Sequence, residues 1–531
     1  MIKKIFIKNY KIFDVFDFTL NKGLNIVVGD NETGKSTILE AINLALTKRL
    51  NGKSIEYELT PYLFNKTCEK VYLDSLRTSH PVAPPEIVIE IYINDNPELA
   101  SLRGSMNSKK EDCTGVKLQI VFDEDYKEEY EKLLEKKDNI KLIPSEYYKI
   151  QWYSFADNAI TLRSLPLNLS YIDATTIRLQ SGTDYYLQDI IKNELDAKER
   201  VGLNIAYRSL KETFSQHPSI KGINDKLVER KGAITDKDLS ISIDIAQKSN
   251  WEANLIPHLD ELPFQLVGKG EQSALKIMLA LERKASDSNI ILIEEPENHL
   301  SFSSMHTLIS KIRDKCEEKQ IIITTHSTYV LNKLGLENLV LLYNNKIASL
   351  KNLPADTQNY FKKLSGYDTL RLILAKKAIL VEGSSDELIV QKAYFIKHGK
   401  FPIENGVDVI NVRGLSFSRF LDIAKELGQN VSVVTDNDGD YANKVDKKYE
   451  PYKKSKNIKI YRSDDNSAST LEPQIVKCND FGTLNKILDR RFTGLELLLS
   501  YMEENKTECA LKIFETKENI EFPAYVKQAI E

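Results

Sequence analysis

Two rhythms of apolar residues run along this chain. Nearly unbroken apolar runs recur at 24–28 (LNIVV), 290–293 (IILI), 321–323 (III), 378–381 (AILV) and 431–434 (VSVV). Runs this short and this rich in branched residues predict strands buried on both faces of a parallel sheet. Elsewhere the rhythm becomes alternation: residues 2–9, then Ile87, Ile89, Ile91 and Ile93, then Val116, Leu118, Ile120 and Phe122. Period two predicts half-buried strands, here an antiparallel flap. Helical spacing takes over at 184–221, with Leu187, Ile190, Ile191, Leu195, Leu203, Ile205 and Leu210 at the apolar positions and a break at Val201-Gly202. It predicts an inserted helical hairpin whose apolar face serves core packing or a second copy of the chain. Residues 125–138 (DYKEEYEKLLEKKD) predict a charged, solvated helix.

The buried strands matter because each runs directly into polar residues suited to chemistry. The 24–28 strand leads to Gly29-Asp30-Asn31-Glu32-Thr33-Gly34-Lys35-Ser36-Thr37, which fits the phosphate-loop pattern G-x-x-x-x-G-K-[ST] and opens an apolar helix to about Thr47. Glycines let backbone N–H groups approach phosphate oxygens, Lys35 supplies charge, and Ser36 is placed to bind Mg²⁺. The 290–293 strand ends in Glu294 and Glu295, paired acids that ask for a cation or a metal-bound phosphate opposite them. Before it lies a second glycine-rich turn at a helix start, Gly268-Lys269-Gly270-Glu271-Gln272, another anion-binding device. One chain that already holds its own phosphate loop has use for that second device on a second subunit.

In the last third, the 378–381 strand ends at Glu382-Gly383-Ser384-Ser385-Asp386, and the 431–434 strand ends at Asp436-Asn437-Asp438-Gly439-Asp440. Acids clustered at the carboxyl edge of an α/β sheet, where ligands of open sheets bind, imply a divalent metal. A calcium loop of the EF-hand kind is excluded, since DNDGD has no closing glutamate. Residues 444–462 (KVDKKYEPYKKSKNIKIYR) hold eight basic and two acidic residues with Tyr449, Tyr452 and Tyr461 between them, and predict either a DNA-contacting loop in which lysines meet phosphates and tyrosines stack on bases, or a solvated loop.

Composition narrows this picture. With 531 residues the chain needs two or three cores. A net charge of −4 means that any polyanion is gripped by a local basic surface. The five cysteines are scattered without C-x-x-C, which suits free thiols in a reducing cytoplasm. No run reaches 18 apolar residues, so a membrane partner is not expected.

The order of phosphate loop, inserted arm, glycine-rich signature, acid strand and Ile321-Ile322-Ile323-Thr324-Thr325-His326 resembles the head of ABC-type ATPases of the SMC and DNA-repair group. That resemblance implies ATP bound by Gly29, Asn31, Gly34, Lys35, Ser36 and Thr37, with Glu294 in the metal shell, Glu295 polarising the attacking water and His326 sensing the γ-phosphate. It further implies that Gly270 and Gln272 of one protomer cap the nucleotide of another. Lys269 stands where that family has serine and no Q-loop glutamine is found, so slow turnover and a switch-like ATPase are expected.

The Glu-Gly strand followed by an Asp-x-Asp strand resembles a Toprim domain. Together the two halves resemble the overcoming-lysogenization-defect (OLD) nuclease family. The resemblance implies an α/β fold in five parts: 1–160 and 256–352 forming the ATPase, a helical dimerisation arm at 161–255, a linker at 353–376, and a Toprim nuclease domain with a parallel sheet at 377–531. It implies Mg²⁺ or Mn²⁺ held by Glu382, Asp386, Asp436, Asp438, Asp440 and Glu472, with Lys506 near the reacting phosphate. The expected activity is ATP-controlled DNA endonuclease or nickase chemistry in anti-phage defence, by a cytoplasmic dimer. It leaves open a partner from a neighbouring gene, a helicase or a retron reverse transcriptase. The competing expectation is an ATP-gated clamp that binds nucleic acid or a partner without cutting.

Overall fold

The computed structural model describes the chain apart from residues 79, 136–139, 162–164, 166, 174–178, 181–182, 185–194, 230–238, 243–250, 252–255, 283–288, 344–345, 365 and 415–416. The apolar runs form two parallel sheets. In the first, the order is Leu169–Asp173, Ile290–Glu294, Gln320–Thr324, Leu24–Gly29 and Leu339–Tyr343, with Lys346–Ser349 antiparallel at the edge. Register pairs Glu294 with Thr324 and with Asp173, and Leu342 with Gly29, so the phosphate loop and the paired acids leave the same edge. In the second sheet, Val407–Asn411, Lys377–Val381, Asn430–Val434 and Ile458–Tyr461 are all parallel. Val381 faces Val434, which sets Glu382 beside the start of the Asp cluster.

The alternating segments build the expected antiparallel sheet: Phe13–Thr19, Ile2–Tyr10, Ile87–Ile93 and Cys113–Phe122, extended by Tyr148–Ser154. One detail departs from alternation. Every residue of Ile87–Ile93 is buried, because Glu90 on the polar face accepts hydrogen bonds from Ser108 N, Ser108 Oγ and Tyr92 Oη and is thereby covered. The charged segment forms a helix at Lys127–Leu134 that buries Tyr130 alone, as a solvated helix should.

The arm differs from its sequence pattern in one place. The helix Ala197–Ser215 runs through Val201-Gly202 without a break, and the interruption falls at Gln216-His217, where Pro218 opens the next helix, Pro218–Val228. A single glycine costs an exposed helix only about 1 kcal/mol, whereas proline at the first helical position starts a new one. The Leu187, Ile190 and Ile191 part of the expected hairpin lies outside the described residues.

The stretch expected as a linker is ordered as two helices, Ala355–Lys363 and Thr369–Leu374. Its Phe361, Leu370, Leu372 and Ile373 enter one apolar core with Ile26, Ile291 and Ile323 of the first sheet and Leu380, Val433 and Phe420 of the second half. Asn332, fully buried, donates from Nδ2 to Tyr367 O at 3.1 Å and accepts from Thr369 Oγ1 at 2.6 Å across the same seam. No described helix is long and apolar enough to cross a membrane.

Candidate functional site

The phosphate loop closes on its own lysine. The helix Lys35–Thr47 begins at Gly34, whose φ of 98° suits glycine; a Cβ there would lie 2.5 Å from the Phe13 ring. Lys35 is buried and donates from Nζ to Gly29 O at 2.9 Å and Asp30 O at 2.8 Å. Burial lowers its pKa, against the pull of Glu295, Asp30 and Glu294. Ser36 hydrogen-bonds Glu294, and Tyr171 donates to Glu294 Oε2 at 2.8 Å. Burial raises the Glu294 carboxyl nonetheless. The loop and the first acid are therefore in direct contact.

Glu295 stands at φ 46°, outside the strand ladder. Its Oε2 accepts from Asn298 Nδ2 at 2.6 Å, and its Oε1 lies 3.6 Å from His326 Nε2. Glu297, two residues on, reaches the same neighbourhood from beneath. Its Oε1 accepts both Thr325 Oγ1 and the His326 backbone N–H at 2.7 Å, while its Oε2 is buried without a hydrogen-bond partner. Burial also pushes the Glu297 carboxyl up.

The glycine-rich turn is held from inside. Gln272 is buried and donates from Nε2 to Phe264 O at 2.8 Å and Val267 O at 2.7 Å, so its amide shapes the turn from below and is not presented outward. Gly270 abuts the acid loop so closely that a Cβ would meet His299 O at 2.0 Å. Asn31 is exposed and Thr37 half-buried in the phosphate loop.

At the edge of the second sheet the acids crowd each other. Asp386, in the first turn of Ser384–His398, accepts from Gly383 N at 3.0 Å. Burial raises it to about 6, with Glu382 and Glu472 adding repulsion. Asp436 is pushed up to about 8 by burial, then by Asp386, Glu382 and Glu472, with Lys506 working the other way. Glu382 is raised by burial and by Asp438. Asn437 bends the chain here: its Nδ2 donates to Asp465 O at 2.8 Å, its Oδ1 accepts from Gly439 N at 3.0 Å, and Asp438 takes a φ of 53°. Glu472 and Lys506 arrive from separate helices and meet with Lys506 Nζ 3.3 Å from Glu472 Oε2. Burial works to lower Lys506, but Glu472, Asp436 and Asp386 hold its pKa raised. Tyr525 lies fully buried against the cluster, driven upward by burial and by Asp436, Asp386 and Glu472.

Asp440 is engaged by the residues that follow it. Its two oxygens accept from Asn443 N at 3.2 Å and Asn443 Nδ2 at 2.9 Å, and its pKa is lowered by those bonds. It caps the next turn of the chain. The basic segment also corrects its sequence reading. Tyr449 and Tyr452 are buried, with Tyr452 Oη donating to Asp422 Oδ1 at 2.7 Å, so neither is free to stack on a base. Lys444, Lys447, Lys448, Lys453, Lys454, Lys456 and Lys459 are exposed around them, with Lys448 Nζ 5.2 Å from the centre of the Tyr449 ring.

Asp436 Oδ1 is buried without a hydrogen-bond donor, Glu472 Oε2 meets only Lys506, and a carboxylate raised to about 8 beside three others is a donor set short of positive charge. A divalent cation fits that need. Among the described residues no group of three or more His, Cys, Asp or Glu side chains is already arranged to hold a metal ion.

Two family models match the chain: the AAA ATPase domain over residues 1–331 and the overcoming lysogenization defect protein-like TOPRIM domain over residues 373–438. Glu472 and Lys506 lie beyond the second match. Similar proteins include "Endonuclease GajA" of Bacillus cereus strain VD045, 21% identical over 466 residues, covering 82% of this chain and 74% of that one. "OLD nuclease" of Thermus scotoductus is 24% identical over 422 residues, covering 73% and 72%. "Retron Ec83 probable ATPase" of Escherichia coli is 25% identical over 405 residues, covering 65% and 71%. The chain belongs to the AAA ATPase domain family and carries, behind its nucleotide-binding half, a TOPRIM domain of the overcoming-lysogenization-defect type.

Proposed function

We propose that the protein is an ATP-controlled, divalent-metal-dependent DNA endonuclease or nickase acting in bacterial defence against phage. The observation that carries this reading is the meeting of Glu382, Asp386, Asp436 and Glu472 with Lys506 at one sheet edge. Mg²⁺ or Mn²⁺ held there by Glu382, Asp386, Asp436, Asp438 and Glu472 would supply an activated water and charge for the leaving oxygen. Lys506 brings a cation on a long side chain to the same edge, where it can neutralise charge on a phosphate. Relatives named as an endonuclease and as an OLD nuclease support the reaction, and one named as a retron ATPase supports a partner specified by a neighbouring gene.

Supercoiled plasmid incubated with Mg²⁺ or Mn²⁺, with and without ATP, beside a phosphate-release measurement, tests the reading. Relaxed or linear product is expected, with a yield that responds to nucleotide. Cleavage under no condition would favour a clamp that binds without cutting. The second copy of the chain is assigned to the arm, where Val201, Ile205, Leu210 and Phe214 leave apolar surface on one helix. Light scattering that returns only monomer with ATP present would remove that assignment.

The DNA backbone is expected to meet Lys447, Lys448, Lys453 and Lys454, none of which forms an ion pair among the described residues. Each phosphate contact contributes about 0.9 to the slope of log affinity against log salt. Changing all four to alanine should therefore flatten the slope by roughly 3–4 units. An unchanged slope in a filter-binding titration would return this surface to ordinary solvent exposure.

A further inference from the structure

Between the acid loop and the segment that carries His326 there is one carboxylate that bonds to the residues just past the end of the neighbour strand. Glu297 spends Oε1 on Thr325 Oγ1 and on the His326 N–H, both at 2.7 Å, and Ser327 N in turn donates to Thr325 Oγ1 at 2.9 Å. The backbone on both sides of His326 is thus pinned through one side chain 29 residues away in sequence. Opposite, Glu295 leaves the strand at φ 46° and is steadied by Asn298, which places Oε1 3.6 Å from His326 Nε2. Glu297 Oε2 stays buried and unpartnered. A buried polar atom kept without a partner costs stability, so the two bonds made by the other oxygen of Glu297 are held at the expense of the fold.

We propose that Glu297 is a positioning residue for ATP hydrolysis: it fixes the backbone of His326 so that the imidazole and the Glu295 carboxylate face the same reacting water and γ-phosphate. The inference rests on the ATPase reading of Glu295 and His326. It concerns reach, since the distance from the loop to the His326 N–H is set by the length of the side chain. Glutamine has the same length and an oxygen that accepts the same two bonds. Aspartate keeps the charge and is one methylene short.

The test measures single-turnover and steady-state ATP hydrolysis, ATP affinity and the thermal midpoint for wild type, Glu297→Gln, Glu297→Asp, His326→Ala, Glu297→Asp with His326→Ala, and Glu295→Gln. Expected are a rate for Glu297→Gln close to wild type, a rate for Glu297→Asp about 10²-fold lower with ATP affinity kept, and no further loss when His326→Ala is added to Glu297→Asp. The opposite order, with aspartate active and glutamine inactive, would assign Glu297 to charge and overturn the proposal. Losses that multiply in the double variant would overturn it too, since the two residues would then act independently. A wild-type rate for Glu295→Gln would instead overturn the ATPase reading itself, and the proposal with it.

Discussion

Asp436→Asn is expected to abolish DNA cleavage in Mg²⁺ or Mn²⁺ while ATP hydrolysis stays near wild type, and to raise the stability of the metal-free protein at alkaline pH. Loss of cleavage comes from removing a ligand charge from the acid cluster. The gain in stability comes from linkage. An acid raised to about 8 in the fold, from the ordinary value of 3.8, binds a proton in the native chain that the unfolded chain has already released. The metal-free fold is therefore at no disadvantage below pH 4 and is progressively penalised as pH rises toward 8. Asparagine carries no such penalty. Differential scanning fluorimetry without metal should give the variant the higher midpoint at pH 8, with a gap that shrinks toward pH 5, and Mg²⁺ should stabilise the wild type more than the variant. Persistent cleavage by Asp436→Asn would place the nuclease centre elsewhere.

Lys35→Ala and Glu295→Gln should separate nucleotide binding from turnover. Lys35 is buried and bonds the Gly29 and Asp30 carbonyls, so it is already inside the loop where phosphate charge would lie. Its removal should eliminate detectable ATP binding by fluorescence titration. Glu295→Gln keeps the Asn298 contact within reach but loses the carboxylate, so binding should persist while hydrolysis falls by about 10²–10⁴-fold. Equal hydrolysis by wild type and Glu295→Gln would exclude Glu295 as the residue acting on water. In both variants plasmid cleavage should keep its metal requirement and lose its response to ATP.

The parts of this architecture that are legible in sequence are those in which one physical cause dominates. The 290–293 and 378–381 runs are apolar on both faces, and only a doubly covered strand accommodates that. The phosphate loop is legible because its glycines, lysine and hydroxyl have fixed spacing. The features that sequence reading missed are decided by partners far along the chain. Tyr449 and Tyr452 sit among lysines and look like stacking residues, but Asp422 and the neighbouring helix draw them into the core. Asp440 extends an acid run, and only the structure shows that its oxygens are taken up by Asn443 at the next turn. Gln272 looks like a ligand-facing signature residue until the carbonyls of Phe264 and Val267 claim its amide. Glu297 had a usable signal, a third acid two residues beyond Glu295, but its partners at Thr325 and His326 lie just past the end of the adjacent strand. The polar stretch at 353–367 hides its helix because only Phe361 and its few apolar neighbours touch the seam.

That seam makes the two halves poor candidates for exchange. Phe361, Leu370 and Leu372 belong to the same core as strands on either side, and Asn332 bonds Tyr367 and Thr369 across it. A cut at residue 352 would leave oily surface and orphan the buried Asn332 amide, and a cut at 376 would leave oily surface. Lineages that recombined such chains would have had to move residues 355–374 together with both faces that cover them, or repair the junction afterwards. Heat should likewise melt the molecule across this boundary in one cooperative step.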